Sequence, residues 1–307
     1  MQNTSHLLMI RPAAFQYNTE TAKSNDYQKN INTISQNEIV KTAQKEFDEF
    51  VEILTDNGVN VLVIEDTIEP AKPDAVFPNN WISMHEDGTI YIYPMKTANR
   101  RIEKRMDIID TIKKKFKVNQ VVDLSSYENE DRALEGTGSM IFDHDYKIVY
   151  ACLSPRTDKQ ILIEFAAKID YKPVVFNSFK SNGQAQYHTN VVMCVGKSFV
   201  VICLDSITDK KERKLVEDSI KSTKKEIIEI SREQLEKHFA GNMLQVQNKQ
   251  GDLFLVMSER ALKSLNDEQL DQIQNHCDIL TAPIYLIEEI GGGSARCMMA
   301  EIFLPKL

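Results

Sequence analysis

The sequence lacks the features that mark several large classes of protein. Its five cysteines include no CxxC pair and are odd in number, so neither a disulfide framework nor a structural zinc site is indicated. No apolar run reaches the length of a transmembrane helix, and residues 1–12 lack the charged and apolar segments of a signal peptide. We therefore expect a protein of the reducing cytoplasm.

Positive charge is also scarce relative to negative charge. The 37 lysines and arginines are outnumbered by 45 aspartates and glutamates, which gives a net charge of −8. A surplus of this sign argues against nucleic acid as the main partner. Apolar residues make up 42% of the 307 positions, which is enough for a sizeable core.

A repeat of about fifty residues organises the chain. Each unit reads as strand, turn, strand, helix, strand, and the residues that open the units are separated by 58, 52, 52 and 55 positions. The last unit has only its first strand, and a strand at 6–10 with the helix at 38–57 supplies the missing pieces. The pattern predicts a single α/β domain, residues 1–307, with five units around a pseudo-fivefold axis, rather than an ordinary α+β sandwich. The opening residues are Asn80, Gly138, Asn190, Asn242 and Cys297.

Local patterns predict the elements within these units. Short apolar runs predict strands at 75–83 and 284–287 and a strand at 298–304 that Cys297 opens, and periodicity predicts a helix at 99–116. Residues 13–36 are polar and aperiodic, so we expect a long loop that acts as a lid through Phe15 and Tyr17.

Polar side chains lie at the openings of the units. If the units are equivalent, these openings meet at one end of the axis and bring a thiol, an imidazole, a carboxylate and several amides into one cavity. Taken singly, each has a structural interpretation, because a lone histidine often ends a strand and asparagines often form turns. Their shared position in the repeat favours a joint functional role. The stretches concerned are 77–81, 134–138, 187–190, 241–242 and 296–297.

Cys297 is the candidate nucleophile. It follows three glycines, 291–293, whose backbone can adopt positive φ and approach a ligand closely. The neighbouring Arg296 would favour the thiolate, which is the nucleophilic form of cysteine. From the local sequence alone, a buried core cysteine beside a turn is the alternative.

The stretch Gly-Gly-Gly-Ser-Ala-Arg-Cys-Met at 291–298 resembles the C-terminal motif of the arginine deiminases. More broadly, nearly the whole chain resembles the guanidino-group-modifying enzymes, which include these deiminases, dimethylarginine dimethylaminohydrolase and the amidinotransferases. The stretch Asp-Ala-Val-Phe-Pro-Asn-Asn-Trp at 74–81 is similar to a subgroup of amidinotransferases and citrulline-utilisation hydrolases. The resemblance implies a five-bladed α/β propeller, the pentein fold, which agrees with the repeat.

The resemblance also implies roles for single residues. Cys297 would attack the central carbon of a guanidino or ureido group, His188 would protonate the leaving nitrogen and then activate water, and Glu135 would orient the histidine. Arg156 matches an arginine that binds the substrate α-carboxylate, for which a guanidinium fork is well suited.

The substrate-binding candidates depart from the deiminases at two positions. Asp74 and Phe77 fit the family, but Asn80 and Asn190 stand where the deiminases have aspartates that grip a cationic guanidinium. An amide both donates and accepts hydrogen bonds, so it can hold a neutral ureido group. We therefore expect a cysteine-dependent hydrolase that acts on the C–N bond of arginine or of a derivative such as citrulline. With a neutral substrate, His188 and Arg296 would have to ionise the thiol.

Two other functions remain open at this point. An amidinotransferase would use the same residues but pass the amidino group to an amine, and a non-catalytic propeller would only bind an amino acid. A metal site built from Asp143, His144 or Glu135 has no ligand spacing behind it, and no cofactor motif is present. The expected partner is a small guanidino or ureido compound, with neither nucleic acid nor membrane; a homo-oligomer stays open.

Overall fold

Five small sheets of three strands each form the framework of the protein. The computed structural model describes all 307 residues. In every sheet the first strand is antiparallel to the second, and the second is parallel to the third, with a helix in the connection between these two. This is the predicted unit. The strands, unit by unit, are Ile82–Met84, Thr89–Ile92 and Gln120–Asp123; Ile141–Asp143, Ile148–Cys152 and Lys172–Phe176; Met193–Val195, Phe199–Ile202 and Glu226–Glu229; Leu244–Gln247, Leu253–Ser258 and Asp278–Ala282; and Ala300–Glu301, His6–Arg11 and Asn60–Glu65.

The fifth unit joins the two ends of the chain, as the sequence predicted. Leu7 pairs with Glu301 and Leu8 with Ala300 in antiparallel register, and His6–Arg11 pairs along its full length with the parallel strand Asn60–Glu65. The first strand of this unit also contacts the first strand of unit one. The ring of units is therefore closed by sheet pairing between residues that lie almost 300 positions apart.

The longest helix, Gln36–Asp56, shows how the sequence specifies these connections. The Ser35 side chain accepts from the backbone N–H of Glu38, whose carboxylate accepts from the N–H of Ser35, and this capping box fixes the helix start. Its apolar face is buried against the last strand of unit four. No helix combines the length and the apolar character needed to span a bilayer. The other helices are Ala98–Arg101, Met106–Lys113, Gly136–Ser139, Lys159–Lys168, Thr189–Val192, Lys210–Ser222, Arg232–His238, Glu259–Ser264, Asp267–Gln274 and Tyr285–Gly291.

Several predicted elements differ from the structure, among them the strand predicted at 75–83, of which only the end belongs to the strand Ile82–Met84. The apolar run at 284–287 belongs to the helix Tyr285–Gly291, and the strand of that unit is the half-buried stretch Asp278–Ala282. The helix predicted at 99–116 is interrupted between Ala98–Arg101 and Met106–Lys113, and the helix Arg232–His238 was missed. Runs of four or five apolar residues fit a buried strand and a buried helical turn equally well, so only tertiary packing decides between them.

The residues that open the units mostly lie in short helical turns, not at the first position of a strand as predicted. Asn80 ends the 3₁₀ turn Pro78–Asn80, and Cys297 lies within the 3₁₀ turn Ala295–Met298, so only Ala300–Glu301 remains of the strand predicted at 298–304. Gly138 and Asn190 lie in four-residue helices. These turns pack against one another, and Asn80 and Cys297 line the cavity described next.

Candidate active site

A buried imidazole–carboxylate pair lies at the centre of the site. The Nε2–H of His188 donates to Oε2 of Glu135 over 2.8 Å, and both side chains are almost fully buried. Because a carboxylate only accepts, the proton is placed on Nε2 and the lone pair on Nδ1. The other carboxylate oxygen of Glu135 accepts from the backbone N–H of Lys96, which fixes its orientation.

Burial and charge keep both groups deprotonated at neutral pH. Burial by itself raises the pKa of Glu135, but the charge of Arg156, the His188 hydrogen bond and the charge of Arg100 overcome it and hold this pKa well below its usual range. Burial lowers the pKa of His188 to about 4, although the carboxylate beside it acts in the opposite direction. At neutral pH the pair is therefore a carboxylate and a neutral imidazole that can accept a proton at Nδ1.

The sulfur of Cys297 lies between two amides. Nδ2 of Asn190 is 3.2 Å from Sγ and Nδ2 of Asn242 is 3.3 Å from it, and both asparagines are fully buried. Cys297 and His188 line one small cavity. Thus the structure brings together the thiol, the imidazole and the carboxylate that the repeat predicted would meet.

The three glycines before Cys297 allow close packing around the loop. Gly292 has φ +62°, and a Cβ there would lie 2.6 Å from the side chain of Gln28 and 2.7 Å from that of Asn25. A Cβ on Gly291 or Gly293 would meet the ring of Phe77 within 3.0 Å. Phe77 therefore forms a wall of the cavity directly against the loop that carries the cysteine.

Arg100 is a site residue that the sequence did not reveal. Its guanidinium donates to Oδ1 of Asn80 over 2.7 Å and to both oxygens of Glu103 over 2.8 and 2.9 Å. Asn80 in turn donates its amide hydrogen to Oδ1 of Asn79. The pattern places Arg100 within the helix predicted at 99–116, and the break after Arg101 has no proline or glycine to signal it.

Arg156 and Asp74 contact the early loop, residues 12–35, which connects the strand His6–Arg11 to the helix Gln36–Asp56. Arg156 donates to Oγ of Ser24 over 2.9 Å and to the carbonyl of Thr21 over 3.1 Å, while Asp74 accepts from Nδ2 of Asn18 over 2.7 Å. Oδ1 of Asp74 is buried and has no hydrogen-bond partner. The predicted lid residue Phe15 belongs to the apolar core instead, with Tyr17 packed beside it.

Arg296 does not face the thiol, contrary to the expectation from sequence. Its guanidinium donates to the carbonyl of Met299 and to the carboxylate of Glu301, both over 2.8 Å. A residue beside the nucleophile in sequence can point away from it, because neighbouring side chains in a helical turn diverge.

The residues considered for a metal site do not assemble one. Asp143 pairs with Lys225, His144 bonds Tyr171, and no group of three potential ligands lies together.

The 13 residues that line the site enclose a small cavity. Its volume is about 10 Å³, which leaves room for about one water molecule. The early loop closes it on one side through Thr21 and Asn25, so an amino acid can enter only if this loop moves. The other lining residues are Asp74, Phe77, Asn80, Arg100, Arg156, Tyr187, His188, Gly291, Gly292, Gly293 and Cys297.

The geometry makes Gly138 a sensitive position. A Cβ there would lie 2.4 Å from Nδ2 of Asn80 and 2.8 Å from Nδ1 of His188. We expect Gly138→Ala to lower kcat/KM about 100-fold, because displacing catalytic groups by about 1 Å has effects of that size. Gly183→Ala is the control: nothing lies within 4 Å of its Cβ, so activity should persist despite a small loss of stability at φ +84°. Unchanged kcat/KM in Gly138→Ala would show that this spacing is not needed.

Comparison with known proteins places the chain in a family. The sequence matches the family model of the eukaryotic N,N dimethylarginine dimethylhydrolases over residues 11–304. No curated protein matches it significantly. Among solved structures, the N-terminal domain of ArgZ, an arginine dihydrolase from the ornithine–ammonia cycle in cyanobacteria, was determined with its substrate bound. It is 16% identical, with a TM-score of 0.76 over 98% of this chain and 99% of that one.

Two further structures share the fold. Unliganded AgrE has a TM-score of 0.76 at 16% identity over 98% of this chain and 39% of its own. A dimethylarginine dimethylaminohydrolase from Pseudomonas aeruginosa, a serine variant complexed with citrulline, has a TM-score of 0.66 at 12% identity over 98% and 100%. The chain therefore belongs to the N,N-dimethylarginine dimethylhydrolase family, a group of guanidino-modifying C–N hydrolases with the pentein fold.

Proposed function

We propose that this enzyme hydrolyses a C–N bond of arginine or of an arginine derivative such as citrulline through a covalent intermediate on Cys297. The observation that carries the proposal is the shared cavity of Cys297 with the His188–Glu135 pair. A nucleophile, a base and a group that orients the base are the parts needed for covalent catalysis. The related ArgZ domain has been captured covalently bound to a reaction intermediate.

The proposed reaction uses the neutral imidazole twice. Nδ1 of His188 takes the thiol proton as sulfur attacks the central carbon, and Glu135 stabilises the resulting imidazolium. The proton then passes to the departing nitrogen, which leaves as ammonia when the C–N bond breaks. Water, deprotonated by the same imidazole, attacks the carbon, and the C–S bond breaks to restore the thiol.

The amides around the cavity support a neutral ureido group as substrate or as an intermediate product. Asn80 and Asn190 are neutral amides, so the two positions add no negative charge to the site. Oδ1 of Asn80 accepts from Arg100, and Oδ1 of Asn190 is buried without a partner. The unpartnered Oδ1 of Asp74 offers an acceptor for a substrate N–H. We propose that Arg156 binds the α-carboxylate once the early loop, 12–35, opens and releases it from Ser24.

Counting ammonia per ornithine tests this substrate assignment. From arginine we expect two ammonia and one carbon dioxide per ornithine, and from citrulline one of each, since the same amides serve both hydrolytic steps. Asn80→Asp should lower citrulline turnover by about tenfold or more, because a carboxylate cannot donate to the ureido oxygen. The exposed Asn182→Asp makes the same change outside the site and should leave turnover unaltered.

Other products would identify other functions. Conversion of arginine to citrulline without ornithine would refute the assignment based on the amides, and dimethylamine released only from dimethylarginine would point to the methylated substrate. Transfer of an amidino group to added glycine would establish an amidinotransferase. We also propose that residues 1–307 act as one catalytic domain in the cytoplasm, where five buried thiols stay unpaired.

A further inference from the structure

No cationic side chain hydrogen-bonds to the sulfur of the candidate nucleophile. The guanidinium of Arg296 is bound to Met299 and Glu301, and Nε2 of His188 is bound to Glu135. The hydrogen-bond donors that reach the sulfur are the side-chain amides of Asn190 and Asn242. These two amides are therefore the groups placed to stabilise a thiolate on Cys297.

The orientation of the Asn242 amide is fixed by the backbone. Its Oδ1 accepts from the N–H of Arg296 over 3.0 Å, and its Nδ2 donates to the carbonyl of Asn190 over 2.9 Å. A backbone N–H only donates and a backbone carbonyl only accepts, so the oxygen and nitrogen of this amide cannot be exchanged. The second hydrogen on Nδ2 is left for Sγ at 3.3 Å, whereas Oδ1 lies farther from the sulfur, at 3.7 Å.

We propose that Asn242 is a catalytic residue that stabilises the Cys297 thiolate by N–H donation, together with Asn190, in place of a cation. The proposal rests on the nucleophilic role of Cys297 argued above. Hydrogen bonds to a charged acceptor in a buried site are stronger than those to a neutral one, so both amides favour the thiolate over the thiol. Through the N–H of Arg296, the same side chain also fixes the turn that carries the sulfur.

The donors act at both ends of the covalent step. As the sulfur gives its proton to His188 and attacks, they stabilise the negative charge that develops on it. When the C–S bond breaks after hydrolysis, the electron pair returns to sulfur, and the same N–H groups receive that charge and make the thiolate a better leaving group. A carboxylate at either position could not donate and would repel the charge.

The pH dependence of thiol alkylation tests this role without any substrate. In Asn242→Asp, we expect the rate of Cys297 alkylation by iodoacetamide at pH 7 to fall about tenfold or more, while the rate at pH 10 stays within about twofold of wild type. A merely structural role would not produce that pH dependence. The other ionisable groups facing the cavity are unchanged by the substitution; they are Asp74, Arg100, Glu135, Arg156, Tyr187 and His188.

Controls separate this inference from the proposed function and from misfolding. Gln247→Glu makes the same amide-to-carboxylate change on the strand that follows Asn242 and should alkylate like wild type. Asn242→Ala removes the donor without adding charge and should show a smaller fall at pH 7, which provides a second variant if Asn242→Asp does not fold. Wild-type alkylation profiles in both Asn242 variants would overturn the inference and leave the role of Cys297 intact. Full turnover by Cys297→Ser would overturn the proposed function itself.

Discussion

Replacing Cys297 by serine should lower kcat by at least about 10⁴-fold, the largest effect that we expect from any single substitution. A serine hydroxyl is a weak nucleophile unless a strong base activates it, and removing the nucleophile of a catalytic triad has effects of this order. The sulfur is buried, held between Asn190 and Asn242, and accompanied in its cavity by His188. Steady-state release of ammonia from arginine and from citrulline measures the effect.

A second cysteine provides the matched control. Cys277 is also a buried free thiol, but it packs in the apolar cluster between units three and four and not at the cavity. Cys277→Ser should retain wild-type kcat, with at most a modest loss of stability. Activity of Cys297→Ser within tenfold of wild type would mean that another group attacks the substrate.

Changing Glu135 to glutamine should lower kcat by about 10³- to 10⁴-fold. The carboxylate fixes the proton of His188 on Nε2, and the amide group of glutamine can donate to this nitrogen and favour the other tautomer, which has no lone pair on Nδ1. The change also removes the negative charge that Arg156 and Arg100 face at 3.5 and 4.0 Å. Steady-state kinetics of purified protein, with circular dichroism to verify the fold, measures the effect.

Two comparisons make the Glu135 result specific. Glu135→Asp keeps the charge and should retain more activity than the glutamine variant. Glu128→Gln removes a carboxylate that pairs with Lys104 and Arg101 away from the cavity, and it should leave kcat unchanged. If Glu135→Gln kept kcat within tenfold of wild type, the tautomer of His188 would not matter to the reaction.

The sequence predicted the architecture because spacing carries that information. Five similarly spaced openings implied equivalent units, and equivalence alone placed Glu135, His188 and Cys297 around one cavity although they lie far apart in the chain. The closure of the ring between strands near the two ends followed from the incomplete last unit. Neither inference required knowledge of which way any side chain points.

The sequence could not reveal side-chain direction or loop contacts. Arg296 was expected beside the thiol but is held by Met299 and Glu301, whereas Arg100, within the helix predicted at 99–116, is buried at the cavity. Asn242 shared the position of the other openings, and that periodicity was the available signal for its role. Its contact with sulfur depends on hydrogen bonds to two backbone groups, which appear only once the chain is folded.

Short apolar stretches were the other source of error. The run Ile-Tyr-Leu-Ile at 284–287 fits the pattern of a strand, but its last three residues begin the helix Tyr285–Gly291, which packs against Gln36–Asp56. That helix leads into the three glycines, and Glu288 within it accepts from Ser294 over 2.6 Å. The geometry of the cysteine loop thus depends on an element whose type was fixed by tertiary packing and not by local pattern.

Intact-mass spectrometry after brief exposure to arginine or citrulline tests the central claim most directly. The protein should gain the mass of the substrate less one ammonia, because the attacked carbon keeps its bond to the ornithine part, and peptide mapping should place this adduct on Cys297. Cys297→Ser should gain no mass. Glu135→Gln should form the adduct or hydrolyse it more slowly than wild type. Turnover of substrate with no adduct at Cys297, or with an adduct on another residue, would contradict the account.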